Sequence, residues 1–203
     1  TEAVAVARKI GERSSEADAL YALGTLRLAQ GALAEARTAH EEALAIRSEL
    51  EARREVTESR IAVARVALAE GQPATAEILS QAAAKVCRRE GRSSDEAVAR
   101  ALAKTHEALN EFANARNLYR KIMDECHSCN TRIDPLIKQR YADLCFDSGM
   151  LNTDILDLYL SLAQEVPDNA AENYEKVSRI YAAQGNHAEA GRFRAIAEKM
   201  ARQ

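Results

Sequence analysis

One short segment of the chain combines residue types that could bind a metal or undergo thiol chemistry. Cys126, His127 and Cys129 follow one another closely in the sequence. A zinc site takes about four nitrogen or sulfur ligands, and this segment supplies at most three. Covalent haem attachment requires a histidine directly after the second cysteine, but Asn130 stands there. The pattern therefore favours two ordinary thiols in a loop, and a metal- or redox-responsive module at Cys126 and Cys129 is the alternative.

No other group of residues has the spacing of a catalytic site. His40 and His106 lie within helical patterns, and His187 stands where a helix begins. No serine or cysteine has the strand–turn–helix context of an activated nucleophile, and no glycine-rich loop could bind phosphate. The sequence thus predicts a protein that is not an enzyme and that needs no cofactor and no metal.

Composition and charge exclude several classes of partner. The 203 residues carry 28 Lys and Arg against 31 Asp and Glu, a net charge of −3, and the isoelectric point is about 5.9. Such a balance gives no basic field for nucleic acid, and no apolar run approaches the roughly 20 residues that cross a bilayer. Four cysteines form no disulfide framework and favour a reducing compartment, so we predict a cytoplasmic protein. Because it opens at Thr1 within a helical pattern, we expect the chain to be a piece of a longer protein.

The elements that would position any site recur along the chain. Each copy is an apolar helix, a short turn, and a second helix that opens on small residues. The turns recur every 36 to 40 residues, at Gly31, Gly71, Asn110, Gly149 and Gly185. Asparagine replaces glycine once because it also tolerates the left-handed backbone. A single copy cannot bury its apolar face alone, so the copies are expected to stack as one array.

Serine, proline and glycine residues mark the limits of each copy. Residues 1–11 read as the last helix of a truncated repeat, and repeats are predicted at about 15–50, 54–91, 94–127, 135–167 and 170–202. Ser14 and Ser15 favour a helix N-cap, and Pro73 and Pro135 suit the first turn of a helix. A second run of serines, at 93–94, would open another helix after Gly91. The stretch 126–135 lacks periodicity and is predicted to be a loop.

The pattern resembles the tetratricopeptide-repeat (TPR) family over essentially the whole chain. The first copy shows Leu23, Gly24, Gly31, Ala36 and Ala43, and the later copies show comparable sets. The matching residues of the later copies are Leu102, Ala103, Ala115, Tyr119 and Ile122, then Tyr159, Leu162 and Pro167, and then Val177, Tyr181, Gly185, Ala190 and Ala197. The fourth copy departs from the pattern, because Ile155 replaces the alanine of its second helix.

The resemblance implies an all-α, right-handed superhelical solenoid of antiparallel helix hairpins. The period exceeds the roughly 34 residues of the usual TPR unit and is similar to that of bacterial regulatory repeats. The resemblance also implies a protein–protein interaction scaffold, or adaptor, whose first helices line a concave groove for a peptide or a partner helix.

Carried onto this chain, the groove positions predict a peptide-binding site with a basic strip. Its residues are Tyr21, Thr25, Arg65, Arg100, Lys104, Arg140 and Arg179. Such a strip would attract an acidic protein or peptide by charge and bind its carboxylates. The alternative is that these are solvated residues, some paired with Glu107, Asp143 or Glu175.

A second hypothesis concerns the apolar residues of the fourth copy. Apolar residues lie close together here, more densely than one buried helix face requires; they are Leu156, Leu158, Tyr159, Leu160 and Leu162. We interpret them first as a core helix of a degenerate repeat. The alternative is a surface for homo-oligomerisation, or for regulation within a larger protein.

Overall fold

The protein is described by a computed structural model, which covers residues 2–89, 96–129 and 131–202. These residues form eleven α-helices and no strand. The helices are α1 (Glu2–Ile10), α2 (Arg13–Ala29), α3 (Leu33–Glu49), α4 (Arg53–Ala69), α5 (Pro73–Arg89), α6 (Glu96–Ala108), α7 (Phe112–Ser128), α8 (Pro135–Asp147), α9 (Thr153–Glu165), α10 (Ala170–Ala183) and α11 (His187–Met200). A short 3-10 turn, Pro167–Asn169, precedes α10. The predicted all-α class is confirmed.

The chain divides into two compact units, Thr1–Leu118 and Tyr119–Gln203. In the first unit α2 packs on α3 and α4 packs on α5, and α4 also contacts α2 and α6. In the second unit α8 packs on α9 and α10 packs on α11. Within each unit the repeated element is thus a helix hairpin, in which a first helix pairs with the helix that follows it.

The turns between paired helices use the left-handed backbone region. Gly31 has a φ of 75°, and Asn110 replaces glycine at a φ of 61°. After α2, the amide of Ala32 donates to the carbonyl of Arg27 at 2.9 Å, which occupies a carbonyl that the helix end leaves open. Glu51, at the boundary between α3 and α4, adopts a φ of 53° although neither glycine nor asparagine stands there.

Small residues let the paired helices approach each other closely. Ala36, Ala76 and Ala115, at the same place in the second helices of three copies, are completely buried. Larger side chains fill the remaining space, since Tyr119 and Tyr159 are also excluded from solvent. Packing of this kind stabilises through dispersion contacts and the removal of apolar surface from water.

Two local predictions were wrong. The helix α2 begins at Arg13, before Ser14 and Ser15, and no side chain caps it; the hydroxyl of Ser15 instead donates to the carboxylate of Glu12 at 3.0 Å. The predicted loop at 126–135 begins later, because α7 continues through Ser128. No glycine or proline interrupts residues 126–128, and the Ser128 hydroxyl donates to the Asp124 carbonyl at 2.8 Å.

Other predictions about helix ends are confirmed, and two lie outside the described residues. Pro73 and Pro135 open α5 and α8, and the carboxylate of Asp134 accepts the amide of Leu136 at 2.9 Å as a cap. The predicted helix start at Gly91 to Ser94 and the position of Asn130 fall in the undescribed segments. Among the helices described, none is both long enough and apolar enough to cross a membrane.

Candidate functional site

The seven predicted groove residues lie on the first helices of successive hairpins. In the first unit they lie on α2, α4 and α6, and in the second unit on α8 and α10. They are Tyr21 and Thr25 on α2, Arg65 on α4, Arg100 and Lys104 on α6, Arg140 on α8 and Arg179 on α10. Since α4 contacts both α2 and α6, the first unit brings its five residues onto three neighbouring helices.

Tyr21 belongs to a packed cluster as much as to the surface. Its ring meets the His40 ring edge-on, with centroids 5.2 Å apart, and the Arg47 guanidinium lies 4.6 Å from the ring centre. Arg47 is buried and donates to the Asp18 carboxylate and to the Ser59 hydroxyl, both at 2.8 Å. Tyr21 therefore offers one edge to solvent and is oriented by its neighbours.

The histidine at the centre of this cluster is uncharged. His40 is 1% exposed, and its Nδ1 atom has no hydrogen-bond partner. Burial, together with the positive charges of Arg65 and Arg47, lowers the pKa of His40 from 6.5 to about 4. His40 thus acts as a packing residue at neutral pH.

Thr25 and Arg65 lie on the exposed parts of their helices. The hydroxyl of Thr25 donates to the Tyr21 carbonyl at 3.0 Å, so its oxygen remains an acceptor for a ligand. The guanidinium of Arg65 forms no ion pair with any described residue. Its five donors are available to a carboxylate from outside the chain.

Of the two basic residues on α6, Arg100 differs from Arg65 because it has an ion-pair partner on its own helix. Arg100 is half-buried and pairs with Glu96 one helical turn earlier. Lys104 is exposed. Arg100 thus has a carboxylate partner on its own helix, and this partner, Glu96, was not among the carboxylates named in the sequence-based alternative.

In the second unit, Arg179 lies over an aromatic ring. Its guanidinium carbon is 4.7 Å from the ring centre of Phe146, and the residue is exposed. It has no carboxylate at ion-pair distance in the described part of the chain. The ring restricts the side chain while one face of the guanidinium and its donors stay accessible. Arg140 is exposed on the neighbouring helix α8.

Sequence reasoning missed a polar cluster that joins α8, α9 and α10. The Asp143 carboxylate accepts from Lys176 at 2.7 Å, from the Tyr159 hydroxyl at 2.9 Å and from the Gln139 amide at 3.0 Å. Burial opposes the charge of Lys176, but hydrogen bonds to Asp143 and Glu172 outweigh it and raise the pKa of the lysine. Burial and the nearby Asp143 raise the pKa of Tyr159. No sequence motif indicated this cluster, because Asp143, Tyr159 and Lys176 are far apart in the sequence.

Three apolar residues of the first helices α4 and α8, which the groove pattern implied by the TPR resemblance also includes, are core residues. Ile61, Ile137 and Leu144 are 8%, 1% and 7% exposed. An apolar side chain on a first helix packs between hairpins when space permits, so spacing alone did not separate groove from core.

The cysteine segment forms no metal site among the residues that the structure describes. No group of three or more His, Cys, Asp and Glu side chains has suitable geometry there. Cys126 is half-buried and Cys129 is exposed, and both are free thiols. The metal-responsive alternative therefore has no ligand set in these residues, and the redox-responsive alternative stays a prediction.

Comparison with known proteins identifies the fold of the chain. No family model and no curated protein matches the sequence. The structure is similar to BtubC (BKLC) from P. vanneervenii, with a TM-score of 0.81, 17% identity, and coverage of 98% of this chain and 87% of that one. It is also similar to a putative kinesin light chain from Podosopora anserina with nearly identical TPR-like repeats, at a TM-score of 0.72 and 17% identity over 93% and 96% of the two chains.

A third solved structure supports the same assignment. YrrB, a TPR protein with an unusual peptide-binding site, matches with a TM-score of 0.69 and 14% identity over 98% of this chain and 92% of its own. These likenesses agree with the hairpins, the left-handed turn residues and the buried alanines described above. The chain has the tetratricopeptide-repeat fold.

Proposed function

We propose that the chain is a protein–protein interaction scaffold that binds an acidic peptide or partner helix on the faces of its first helices. The observation that carries the proposal is a pair of exposed guanidinium groups, Arg65 in the first unit and Arg179 in the second. Each lacks an ion-pair partner within the described residues. In a chain with more acidic than basic residues overall, such unpaired cations on equivalent helices are suited to a carboxylate-bearing partner.

Related folds give the proposal a precedent at the level of architecture. YrrB, which shares this fold at low identity, has a peptide-binding site. Stacked hairpins present their first helices in a row, and an extended peptide can bind across several helices. In the first unit Arg65 would bind such a peptide through paired N–H donors, and Arg100 and Lys104 would add to the attraction. In the second unit Arg179 and Arg140 would act in the same way.

The remaining ionisable groups favour binding over catalysis. A general base or nucleophile needs a pKa near the working pH or an activating neighbour. Hydrogen bonds to Asp143 and Glu172 hold Lys176 in its charged form, and burial together with the nearby Asp143 holds Tyr159 in its neutral form. Neither residue would exchange a proton with a substrate at neutral pH, so we propose a role without chemistry.

Self-association through the fourth copy is the weaker hypothesis. Leu156, Tyr159 and Leu162 are buried in the core of the second unit, and Leu158 and Leu160 pack against that core. Most of the apolar residues that suggested an external surface are therefore covered by the chain itself. The cytoplasmic location remains a prediction from the cysteine content.

The proposal is tested by charge reversal at Arg65 and Arg179. The probe is a fluorescein-labelled peptide of about ten residues that alternates glutamate with leucine, titrated with the protein at low salt. We expect Arg65→Glu and Arg179→Glu each to weaken binding by about tenfold, and the double variant to weaken it further.

Matched controls separate the site from the total charge. Lys85→Glu on α5 and Arg194→Glu on α11 change the charge equally at exposed residues of second helices. These variants should bind as the unmodified protein does. Equal weakening of binding in all four single variants would show that only the net charge matters. Undiminished binding by Arg65→Glu and Arg179→Glu would refute the assignment of the site to the first helices.

A further inference from the structure

A groove of about 580 Å³ lies between α7 and α9 in the second unit, with α8 beneath it. Four residues of α7 at helical spacing line one side, from Arg120 to His127, and α9 lines the other side from Asp154 to Ser161. The volume falls within the range of about 300–1,000 Å³ that is usual for ligand sites. None of the seven residues predicted for the peptide-binding site on the first helices lines this groove.

The groove lies where the repeat pattern is broken. Ile155 lines it and occupies the place that Ala36, Ala76 and Ala115 hold in other copies, where those alanines are fully buried. A branched side chain at this place prevents the close helix approach that alanine permits. The groove between these two second helices thus coincides with the departure of the fourth repeat from the alanine pattern.

The inner surface of the groove is apolar. Met123, Ile133, Tyr141 and Leu158 contribute to its lining, and Met150 at its edge is 38% exposed. Such a surface is suited to an apolar side chain inserted from a partner, because burial of that side chain removes apolar area from water on both sides.

The charge at the mouth of the groove is negative. Asp154 and Asp157 are exposed at one edge and have no ion-pair partner in the described parts of the chain. The two cations of the lining are already engaged: Lys138 bonds Glu165 at 2.6 Å, and Arg120 lies 3.9 Å from Asp124. The carboxylates of Asp154 and Asp157 therefore attract a positively charged partner.

We propose that this groove is a second binding site, which takes a short peptide segment with an apolar anchor beside a lysine or arginine. The anchor inserts between α7 and α9, and the basic residue pairs with Asp154 and Asp157. This occupant has the opposite charge to the partner proposed for the first helices, and it contacts different helices. One chain would thereby hold two partners of unlike composition.

The test uses a labelled synthetic peptide of about ten residues, with one leucine between two arginines in a glycine–serine background. We expect saturable binding to the complete chain, and a loss of about fivefold or more in affinity for the protein variant Asp157→Lys. Replacing the leucine of the probe by serine should weaken binding to a similar degree. A milder variant, Asp154→Asn, should show a smaller loss.

Controls distinguish this site from the other proposal and from general charge effects. Asp168→Lys lies outside the groove at an exposed position of the same unit and should leave binding unchanged, as should Arg65→Glu. Circular dichroism and thermal unfolding verify that each variant is folded. Equal binding of a probe with glutamates in place of its arginines would overturn the proposal. Undiminished binding by Asp157→Lys would overturn it as well, and so would a change of oligomeric mass in that variant without any effect on the probe.

Discussion

At the scale of single residues, the most sensitive contact in the first unit is between Gly24 and His40. A Cβ atom added to Gly24 would lie 2.7 Å from the imidazole ring. Such a distance is far below van der Waals contact, and the ring is itself held by Tyr21. The glycine is therefore required by the neighbouring helix rather than by its own backbone conformation.

We expect Gly24→Ala to lower the free energy of unfolding by about 1–3 kcal/mol, because overpacking outweighs the gain in helix propensity. Chemical denaturation measures the change. Gly191→Ala is the matched control, since Gly191 is also helical but has nothing within 4 Å of the added atom. That variant should be stabilised by up to about 1 kcal/mol. Equal effects in the two variants would contradict the packing account.

The lowered pKa of His40 predicts that the free energy of unfolding depends on pH. Its pKa is lowered to about 4 in the folded protein from 6.5, so the unfolded chain binds more protons between these values. The contribution of His40 to the free energy of unfolding is therefore fully present above pH 6.5. It declines by up to roughly 3 kcal/mol as the pH falls towards 4.

The measurement compares the protein with His40→Gln across that range. The variant is expected to be less stable throughout but to lack this part of the slope. The carboxylates titrate in both proteins, so the difference between the two curves isolates the histidine. Parallel curves between pH 6.5 and 4 would show that His40 stays accessible to protons in the folded state.

At the scale of elements, the turn residues determine how well each hairpin closes. Glu51 adopts the left-handed region at a φ of 53° and is exposed, and this conformation costs an ordinary residue about 1 kcal/mol. We expect Glu51→Gly to raise the free energy of unfolding by about that amount. Gly185→Ala, at a φ of 79° with open space around it, should lower it by a similar amount. Thermal unfolding of both variants checks the opposite signs.

Much of the helical framework could be predicted from the sequence, because turns and small residues have local causes. Gly31 and Asn110 mark turns by their backbone tolerance, and Ala36 marks a close helix contact. The boundary at Glu51 had no such marker, and the serines at 14 and 15 suggested a cap where the helix had already begun. Such ends depend on packing with other helices, which local sequence does not contain.

The site was harder to predict than the fold. The first-helix positions of Arg65 and Arg179 follow from the repeat pattern, and both prove to be exposed. The cluster around Asp143 and the burial of Arg47 could not be foreseen, since they bring together residues from three helices. The groove beside Ile155 had only a weak indication, namely the departure of that residue from the alanine pattern.

At the scale of the whole molecule, the two proposed binding sites carry charges of opposite sign. The chain carries a net charge of −3, yet the unpaired arginines Arg65 and Arg179 lie on first helices, and the unpaired aspartates Asp154 and Asp157 border a groove of second helices. Opposite charges kept on different helices permit two kinds of partner without competition. Both interactions should weaken as salt rises from about 0.05 M to about 0.3 M, because exposed charges are screened over shorter distances.

The most direct test of the central claim is a map of backbone amide chemical shifts while the glutamate–leucine probe is added. We expect the perturbed amides to concentrate on the first helices, around Thr25 and Arg65 in one unit and around Arg140 and Arg179 in the other. Amides of α3, α5 and α11 should move little. Perturbations centred on the second helices, or absent at saturating probe, would contradict the assignment of the first-helix faces as the binding surface.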